Sequence, residues 1–117
     1  MRDFKKFTIW ELGIEISRTT YSITKQFPKE ELYGITQQMR RAGVSIPSNI
    51  AEGCGRETDK EFMRFLDIAQ GSAHELETQI IIVEDFDWVE KVTLTDLKDR
   101  LNKLQRSINN LKQKIKN

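Results

Sequence analysis

The last third of the chain carries an uninterrupted heptad repeat of large aliphatic side chains. Its members alternate three and four residues apart, and they are Leu94, Leu97, Leu101, Leu104, Ile108, Leu111 and Ile115. This spacing keeps every member on one stripe of a helix, and such a stripe is buried by packing along a bundle or coiled coil. We therefore predict a helix over about residues 94–115 that supplies one seam of a helical bundle.

Three more amphipathic helices are predicted over about residues 8–27, 29–54 and 58–86. Pro28 ends the first of them, because the residue before a proline avoids the helical region. Gly53 suits the end of the second, and Thr58 with Glu61 forms a capping box at the start of the third. Short connections between long helices predict an all-α, up-down-up-down antiparallel four-helix bundle, with residues 1–117 as a single domain.

The formal net charge of +1 conceals an uneven distribution along the chain. Residues 52–90 hold 11 acidic and 3 basic side chains, whereas residues 91–117 hold 8 basic and 2 acidic ones. One interpretation is that the acidic third helix and the basic fourth helix are antiparallel neighbours that attract each other. The other is that the basic side chains form a face that binds nucleic acid.

Basic side chains of the fourth helix, with two arginines of the second, are the candidate nucleic-acid contacts. These residues are Arg40, Arg41, Lys98, Arg100, Lys103, Arg106, Lys112 and Lys114. No ladder of aromatic residues accompanies them, so the base stacking that is typical of single-strand-binding proteins is not indicated. We expect contacts to phosphates, which are sensitive to salt and weakly selective for sequence.

The second helix carries a proline and a line of polar side chains where an ordinary amphipathic helix has neither. Pro47 would normally clash with the carbonyl four residues back, but that residue is Gly43, which leaves room for a bend. The polar positions of this helix, with two from the third, are predicted to form a polar network or a subunit interface. These residues are Ser45, Ser48, Asn49, Glu52, Ser72 and Glu75.

The six polar residues have a structural interpretation and a functional one, since the same side chains would also suit a ligand-binding site. We favour the structural interpretation, because buried polar groups need partners and commonly fix the register between packed helices. It leads us to expect that Glu52 or Glu75 pairs with an arginine of the second helix, either Arg40 or Arg41.

The sequence offers no constellation for catalysis or metal binding. Di-iron bundles need Glu-x-x-His pairs, but the residue three before the only histidine, His74, is Gly71. Cys54 and His74 alone are too few ligands for zinc. We therefore expect no enzyme activity, no catalytic residue, no metal and no cofactor.

Cysteine usage and hydropathy bear on the compartment in which the chain works. Cys54 is the only cysteine, so an internal disulfide is impossible and a reducing, cytoplasmic setting is expected. The charged start of the chain is followed by no apolar run long enough for a signal peptide. The most apolar run, residues 80–83, is far shorter than the roughly 18 residues of a membrane helix.

The run from Ser45 to Gly53, SIPSNIAEG, strongly resembles the central motif of small four-helix-bundle proteins encoded within intervening sequences of bacterial 23S ribosomal RNA genes. Some of these proteins have been labelled ribosomal proteins. Further matches are Phe27-Pro28-x-x-Glu31-x-Tyr33-Gly34, Gln38-x-Arg40-Arg41-Ala42 and Phe65-Leu66-x-x-Ala69-x-Gly71-Ser72-x-x-Glu75-Leu76-Glu77. With Trp10 they cover most of residues 10–85, and the last helix matches only in its leucine spacing.

The resemblance implies a cytoplasmic bacterial protein that folds as an up-down-up-down bundle and assembles into a ring-shaped homopentamer. It extends to the accessory variability proteins of diversity-generating retroelements, which look like basic barrels that engage nucleic acid and a reverse transcriptase. The role of the intervening-sequence proteins themselves is undefined, so two functions stay open. One is a self-associating module that binds RNA or a nucleic-acid-associated protein. The other is an oligomeric protein-interaction scaffold with no nucleic-acid affinity, and neither involves a membrane.

Overall fold

The structure, a computed structural model, describes residues 2–117 and is built from four long α-helices. Their bounds are Thr8–Thr24 for α1, Gln37–Cys54 for α2, Asp59–Val83 for α3 and Lys91–Lys116 for α4. A 3₁₀ turn, Phe4–Lys6, precedes α1, and residues 2–117 contain no β-strand. Each helix packs on two others, α1 on α2 and α4, and α3 on α2 and α4. The all-α four-helix bundle predicted from the sequence is therefore confirmed.

The heptad seam of α4 lies at the centre of the bundle. Leu94, Leu97, Leu101, Leu104 and Ile108 are each at most 1% exposed. Leu111 and Ile115 are partly buried at one end, where the bundle gives less cover. The other helices contribute apolar stripes to the same core, with members such as Ile16, Ile46, Ile50, Leu66, Leu76 and Ile80. Burial of these stripes is the main favourable contribution to folding.

Regular helix begins later in the second segment than the sequence predicts. Lys29–Glu31 form a 3₁₀ turn and Leu32–Thr36 a π-helical turn, so α2 starts at Gln37 instead of near residue 29. The irregularity centres on Gly34, whose φ of −109° and ψ of −119° are not helical. Leu32 and Tyr33, which lie in this irregular segment, are exposed on the surface.

The ends of the other helices differ from the predicted bounds by a few residues. Helix α1 ends at Thr24 because the next amides bond three residues back, from Gln26 N to the Ile23 carbonyl and from Phe27 N to the Thr24 carbonyl. Helix α4 begins at Lys91 because the Glu90 carbonyl already accepts from the amides of Thr93 and Leu94. Half of the predicted capping box of α3 is present, since Thr58 Oγ1 accepts from Glu61 N at 3.1 Å. The Glu61 carboxylate lies beside Arg64 at 3.8 Å.

Close approaches between helices occur at glycines. A Cβ on Gly13 of α1 would lie 3.2 Å from the Cβ of Pro47, so the buried proline of α2 packs directly against the α1 backbone. A Cβ on Gly53 would lie 2.7 Å from the Cβ of Phe65 on α3. Gly43 is buried against Ser17 and Thr20 of α1, with 3.4 Å from its Cβ position to Thr20 Oγ1.

Candidate interaction surfaces

Three of the six predicted polar residues form one hydrogen-bonded group that joins α2 to α3. The hydroxyls of Ser45 and Ser72 lie 2.8 Å apart across the two helices. Asn49 Nδ2 donates to Ser45 Oγ and to the Ser45 carbonyl, both at 2.8 Å. All three side chains are partly buried, so this group fixes the relative register of α2 and α3.

The other three predicted members lie outside this group. Ser48 is exposed on the outer side of α2. Glu52 pairs with Arg56, one turn further along the chain, at 2.9 Å. Glu75 is exposed and accepts only a long contact of 3.4 Å from Gln79 Nε2. The ion pairs within residues 2–117 include none that joins Glu52 or Glu75 to Arg40 or Arg41.

Replacing Asn49 by Leu should lower the free energy of unfolding by about 1 kcal/mol, because it removes two hydrogen bonds and leaves Ser45 Oγ with one partner fewer. Thermal unfolding followed by circular dichroism measures the effect. Ser48→Ala is the matched control on the same helix, and we expect it to change stability by less than about 0.5 kcal/mol because Ser48 is exposed. Equal melting temperatures for the two variants would show that the Asn49 hydrogen bonds contribute nothing to the stability of the fold.

A polar cleft of about 390 Å³ opens to solvent directly above the Ser45–Ser72 contact. Its walls come from α2 and α3, and they are Gln38, Arg41, Ala42, Ser45, Ser72 and Glu75. Arg41 and Glu75 are both exposed, and neither takes part in an ion pair within residues 2–117. The cleft therefore presents one unneutralised charge of each sign.

A second cleft, of about 550 Å³, lies on the other side of Arg41. It is lined by Tyr21, Leu32, Tyr33, Gln37, Arg40, Arg41, Val44 and Ser45. The Arg40 guanidinium stacks 4.7 Å above the Tyr21 ring, and Arg40 Nε donates to Thr24 Oγ1 at 2.9 Å. Arg41 and Ser45 line both clefts, so the two form one continuous surface.

Sequence reasoning did not find the aromatic part of this surface. Tyr21 belongs to α1, whereas Tyr33 lies in the π-helical turn and is 87% exposed. The two residues show no common periodicity, because they come from separate elements that meet only when the bundle forms. The single local signal was Gly34, which follows Tyr33 and marks an irregular backbone.

Half of the candidate cations on α4 are neutralised inside the chain. Lys98 pairs with Glu84, the residue that follows α3, at 2.8 Å, and Arg100 pairs with Glu15 of α1 at 3.0 Å. Lys112 pairs with Asp67 of α3 and also donates to Gln70 Oε1 at 3.0 Å. The contacts to Glu84 and Asp67 support the interpretation that the acidic segment of residues 52–90 and the basic fourth helix attract each other as neighbours.

The remaining three candidates on α4 are exposed to solvent. Lys103, Arg106 and Lys114 have exposed side chains, and the ion pairs within residues 2–117 include none of them. Adding 100° per residue places all three within roughly a quarter of the helix circumference. Their Cα atoms span about 16 Å along the axis, at a rise of about 1.5 Å per residue.

The chemistry of the remaining reactive side chains is limited. Burial raises the pKa of the Cys54 thiol, an effect that nearby Arg2 opposes and Asp3 reinforces. His74 is exposed on α3. Within residues 2–117, no group of three or more His, Cys, Asp and Glu side chains lies closely enough together to hold a metal ion.

None of the helices within residues 2–117 is both long and apolar enough to cross a membrane.

These features define a compact all-helical bundle whose distinctive chemistry lies in surface clefts and exposed cations. Residues 5–110 match the family described as 23S rRNA-intervening sequence protein, and the chain belongs to that family. This confirms the family membership predicted from the Ser45–Gly53 motif.

A solved structure carries the same fold. It is the crystal structure of a protein of unknown function from the S23 ribosomal protein family of Bacteroides thetaiotaomicron. The TM-score is 0.83 at 16% sequence identity, over 90% of this chain and 98% of that one. No curated protein matches the sequence of this chain.

Proposed function

We propose that this protein is a non-enzymatic, self-associating bundle that binds RNA or a ribonucleoprotein through phosphate contacts. The observation that carries the RNA-binding part is the row of exposed cations on α4, Lys103, Arg106 and Lys114. Unpaired lysines and arginines on one helix face are the usual means of contacting phosphates without reading sequence. Because the three cations lie on one face of α4, they support a contact with RNA that runs along the helix.

Self-association would strengthen such a contact. Three cations on one subunit give a weak, salt-sensitive interaction, whereas a ring of five subunits would present the row five times. The family resemblance supports a ring-shaped homopentamer. The exposed apolar side chains of the bundle support burial against other subunits, and they include Leu32, Tyr33, Val44, Ile81, Ile82 and Phe86.

Reversing the three exposed charges in the variant Lys103→Glu, Arg106→Glu, Lys114→Glu should weaken binding to a structured ribosomal RNA fragment at least about tenfold, because phosphate contacts dominate such binding. The measurement is fluorescence anisotropy, titrated at low and at physiological salt. If all three cations contact duplex phosphates, the slope of log K against log salt should fall in magnitude by about 2.7.

The matched control is the variant Lys25→Glu, Lys29→Glu, Lys60→Glu, which makes the same change in net charge at three exposed lysines outside α4. It should keep most of the affinity and most of the salt dependence. Equal losses in both variants would mean that net charge alone drives binding, and that the row on α4 is not a binding face.

The second candidate is an oligomeric protein-interaction scaffold with no nucleic-acid affinity. The surface around Arg41 favours it, since exposed Leu32, Tyr33 and Val44 suit a protein partner better than a polyanion. Absence of RNA binding even at low salt, together with a mass above that of the monomer in sedimentation, would select the scaffold over the RNA-binding module.

A further inference from the structure

We infer that the cleft between α1, the turn before α2 and the Arg40 face of α2 binds a small organic anion. The ligand joins an aromatic or aliphatic group to a single carboxylate or phosphate. The site, called the Arg40 cleft below, is the cleft of about 550 Å³ lined by Tyr21, Leu32, Tyr33, Gln37, Arg40, Arg41, Val44 and Ser45. This binding goes beyond the contact with RNA proposed for α4 and does not depend on it.

The guanidinium of Arg40 is held in place without a negative partner. It lies 4.7 Å from the centroid of the Tyr21 ring, and its Nε donates to Thr24 Oγ1 at 2.9 Å. Arg40 is half-buried, and the ion pairs within residues 2–117 do not include it. The bond to Thr24 uses Nε alone, so both Nη groups are available to a ligand. A half-buried cation that is oriented but not neutralised favours an anion in the cleft.

The charged residues that line the Arg40 cleft are all cationic. Arg41 adds a second, exposed guanidinium beside Arg40, and none of the lining residues is acidic. Carboxylates lie just outside the lining on two sides. Glu31 Oε1 would be 3.2 Å from a Cβ on Gly34, and Glu75 belongs to the polar cleft on the other side of Arg41. A long polyanion would meet these carboxylates, whereas a ligand with one oxyanion stays among the lining residues.

An apolar surface lies beside the two guanidiniums. Leu32 is 43% exposed, Val44 is 41% exposed and Tyr33 is 87% exposed. Covering such side chains removes apolar area from water, which is favourable in proportion to the area covered. A bare phosphate ion would leave this surface uncovered. A ligand that joins an apolar group to an oxyanion uses both parts of the cleft at once.

The α2 wall of the cleft is a single helix face. Its five members follow the spacing i, i+3, i+4, i+7 and i+8, and they are Gln37, Arg40, Arg41, Val44 and Ser45. Gln37 and Ser45 place a polar group at each end of this face, where each can orient a ligand. The volume of about 550 Å³ lies within the range of about 300–1,000 Å³ that is typical of small-molecule sites.

The test is equilibrium dialysis of the full chain against naphthoate, a planar aromatic carboxylate whose ultraviolet absorbance reports the amount bound. Naphthamide is the neutral counterpart, with the same rings and no charge. We expect saturable binding of naphthoate with a dissociation constant at least about tenfold below that of naphthamide, because a charge-assisted hydrogen bond contributes more than a neutral one.

Two variants examine the residues that carry the inference. Arg40→Met keeps the length of the side chain and removes its charge, so it should weaken naphthoate binding at least about tenfold. The same variant should change naphthamide binding by less than about twofold, since no ion pair is lost. Tyr33→Ala should weaken the binding of both compounds at least about threefold, because the exposed ring packs on the apolar part of each.

Arg64→Met and Phe86→Ala are the matched controls. Arg64 is an exposed arginine of α3 and Phe86 is a half-exposed ring, and both lie outside the Arg40 cleft. Both controls should bind naphthoate and naphthamide as the wild type does, and circular dichroism establishes that all variants remain helical. Because Tyr33 is 87% exposed, Tyr33→Ala still tests the cleft if Arg40→Met fails to fold.

Three results would overturn the inference. Equal binding of naphthoate and naphthamide would mean that the cleft is an apolar patch with no preference for anions. Equal loss of naphthoate binding in Arg40→Met and Arg64→Met would mean that net charge alone attracts the anion. Absence of saturable binding to the wild type would exclude a small anion as the occupant. Sedimentation velocity and RNA anisotropy on Arg40→Met would then show whether a second copy or RNA occupies the cleft. The charge-reversal variant of α4 tests the proposed function separately.

Discussion

Phe62→Ala should lower the free energy of unfolding by about 3–5 kcal/mol, the range for loss of a buried phenylalanine ring. Phe62 is 1% exposed in the first turn of α3. Its ring meets that of Phe7 edge-on, with centroids 5.9 Å apart, and the Arg2 guanidinium lies 4.3 Å above it. The substitution would open a cavity and also release the N-terminal segment from the end of the bundle.

Urea denaturation at one fixed protein concentration measures this loss, with the slope of the transition checked against the wild type. Phe86→Ala removes the same atoms from a ring that is 50% exposed, so it should cost clearly less than Phe62→Ala. Similar losses for the two phenylalanines would mean that the Phe62 ring is not packed as the structure shows.

Gly53→Ala should destabilise the bundle by about 1–3 kcal/mol, the usual range for overpacking a close contact. The added methyl group would lie 2.7 Å from the Cβ of Phe65 and 3.1 Å from the Phe62 ring. A Cβ cannot rotate away as the end of a flexible side chain can, so α2 and α3 would have to separate. Thermal unfolding should show a clear fall in the melting temperature.

Gly71→Ala is the control, and the opposite sign is expected for it. Gly71 lies inside α3 with nothing within 4 Å of its Cβ position, so alanine should stabilise the helix by about 0.5–1 kcal/mol. A loss of stability at both glycines would contradict the packing of α2 against α3 in the structure.

The helices and their buried faces were predictable because helical periodicity is a local property. The heptad of α4 identifies which side chains are buried, and five of its seven members are at most 1% exposed. The Thr58 cap on the amide of Glu61 likewise depends on residues three positions apart. The start of α2 was less predictable, because one glycine, Gly34, replaces regular helix by a π-helical turn.

The polar group shows where prediction from sequence reached its limit. Ser45, Asn49 and Ser72 form one hydrogen-bonded group, whereas Glu52 bonds to Arg56 and not to Arg40 or Arg41. The sequence places these polar residues on one side of a helix. It does not determine which arginine a flexible carboxylate meets, because that depends on rotamers and on the approach of the neighbouring helix.

The sequence by itself determined the family, the number of long helices and the stripe that each helix buries, because motifs and periodicity act over short stretches of chain. The tertiary structure alone decided which of the candidate cations take part in ion pairs within the chain and which remain exposed to solvent. Arg100 reaches Thr19, 81 positions away, and Lys112 reaches Gln70, 42 positions away. These contacts depend on how the helices pack, and they leave Lys103, Arg106, Lys114 and Arg41 exposed for a partner.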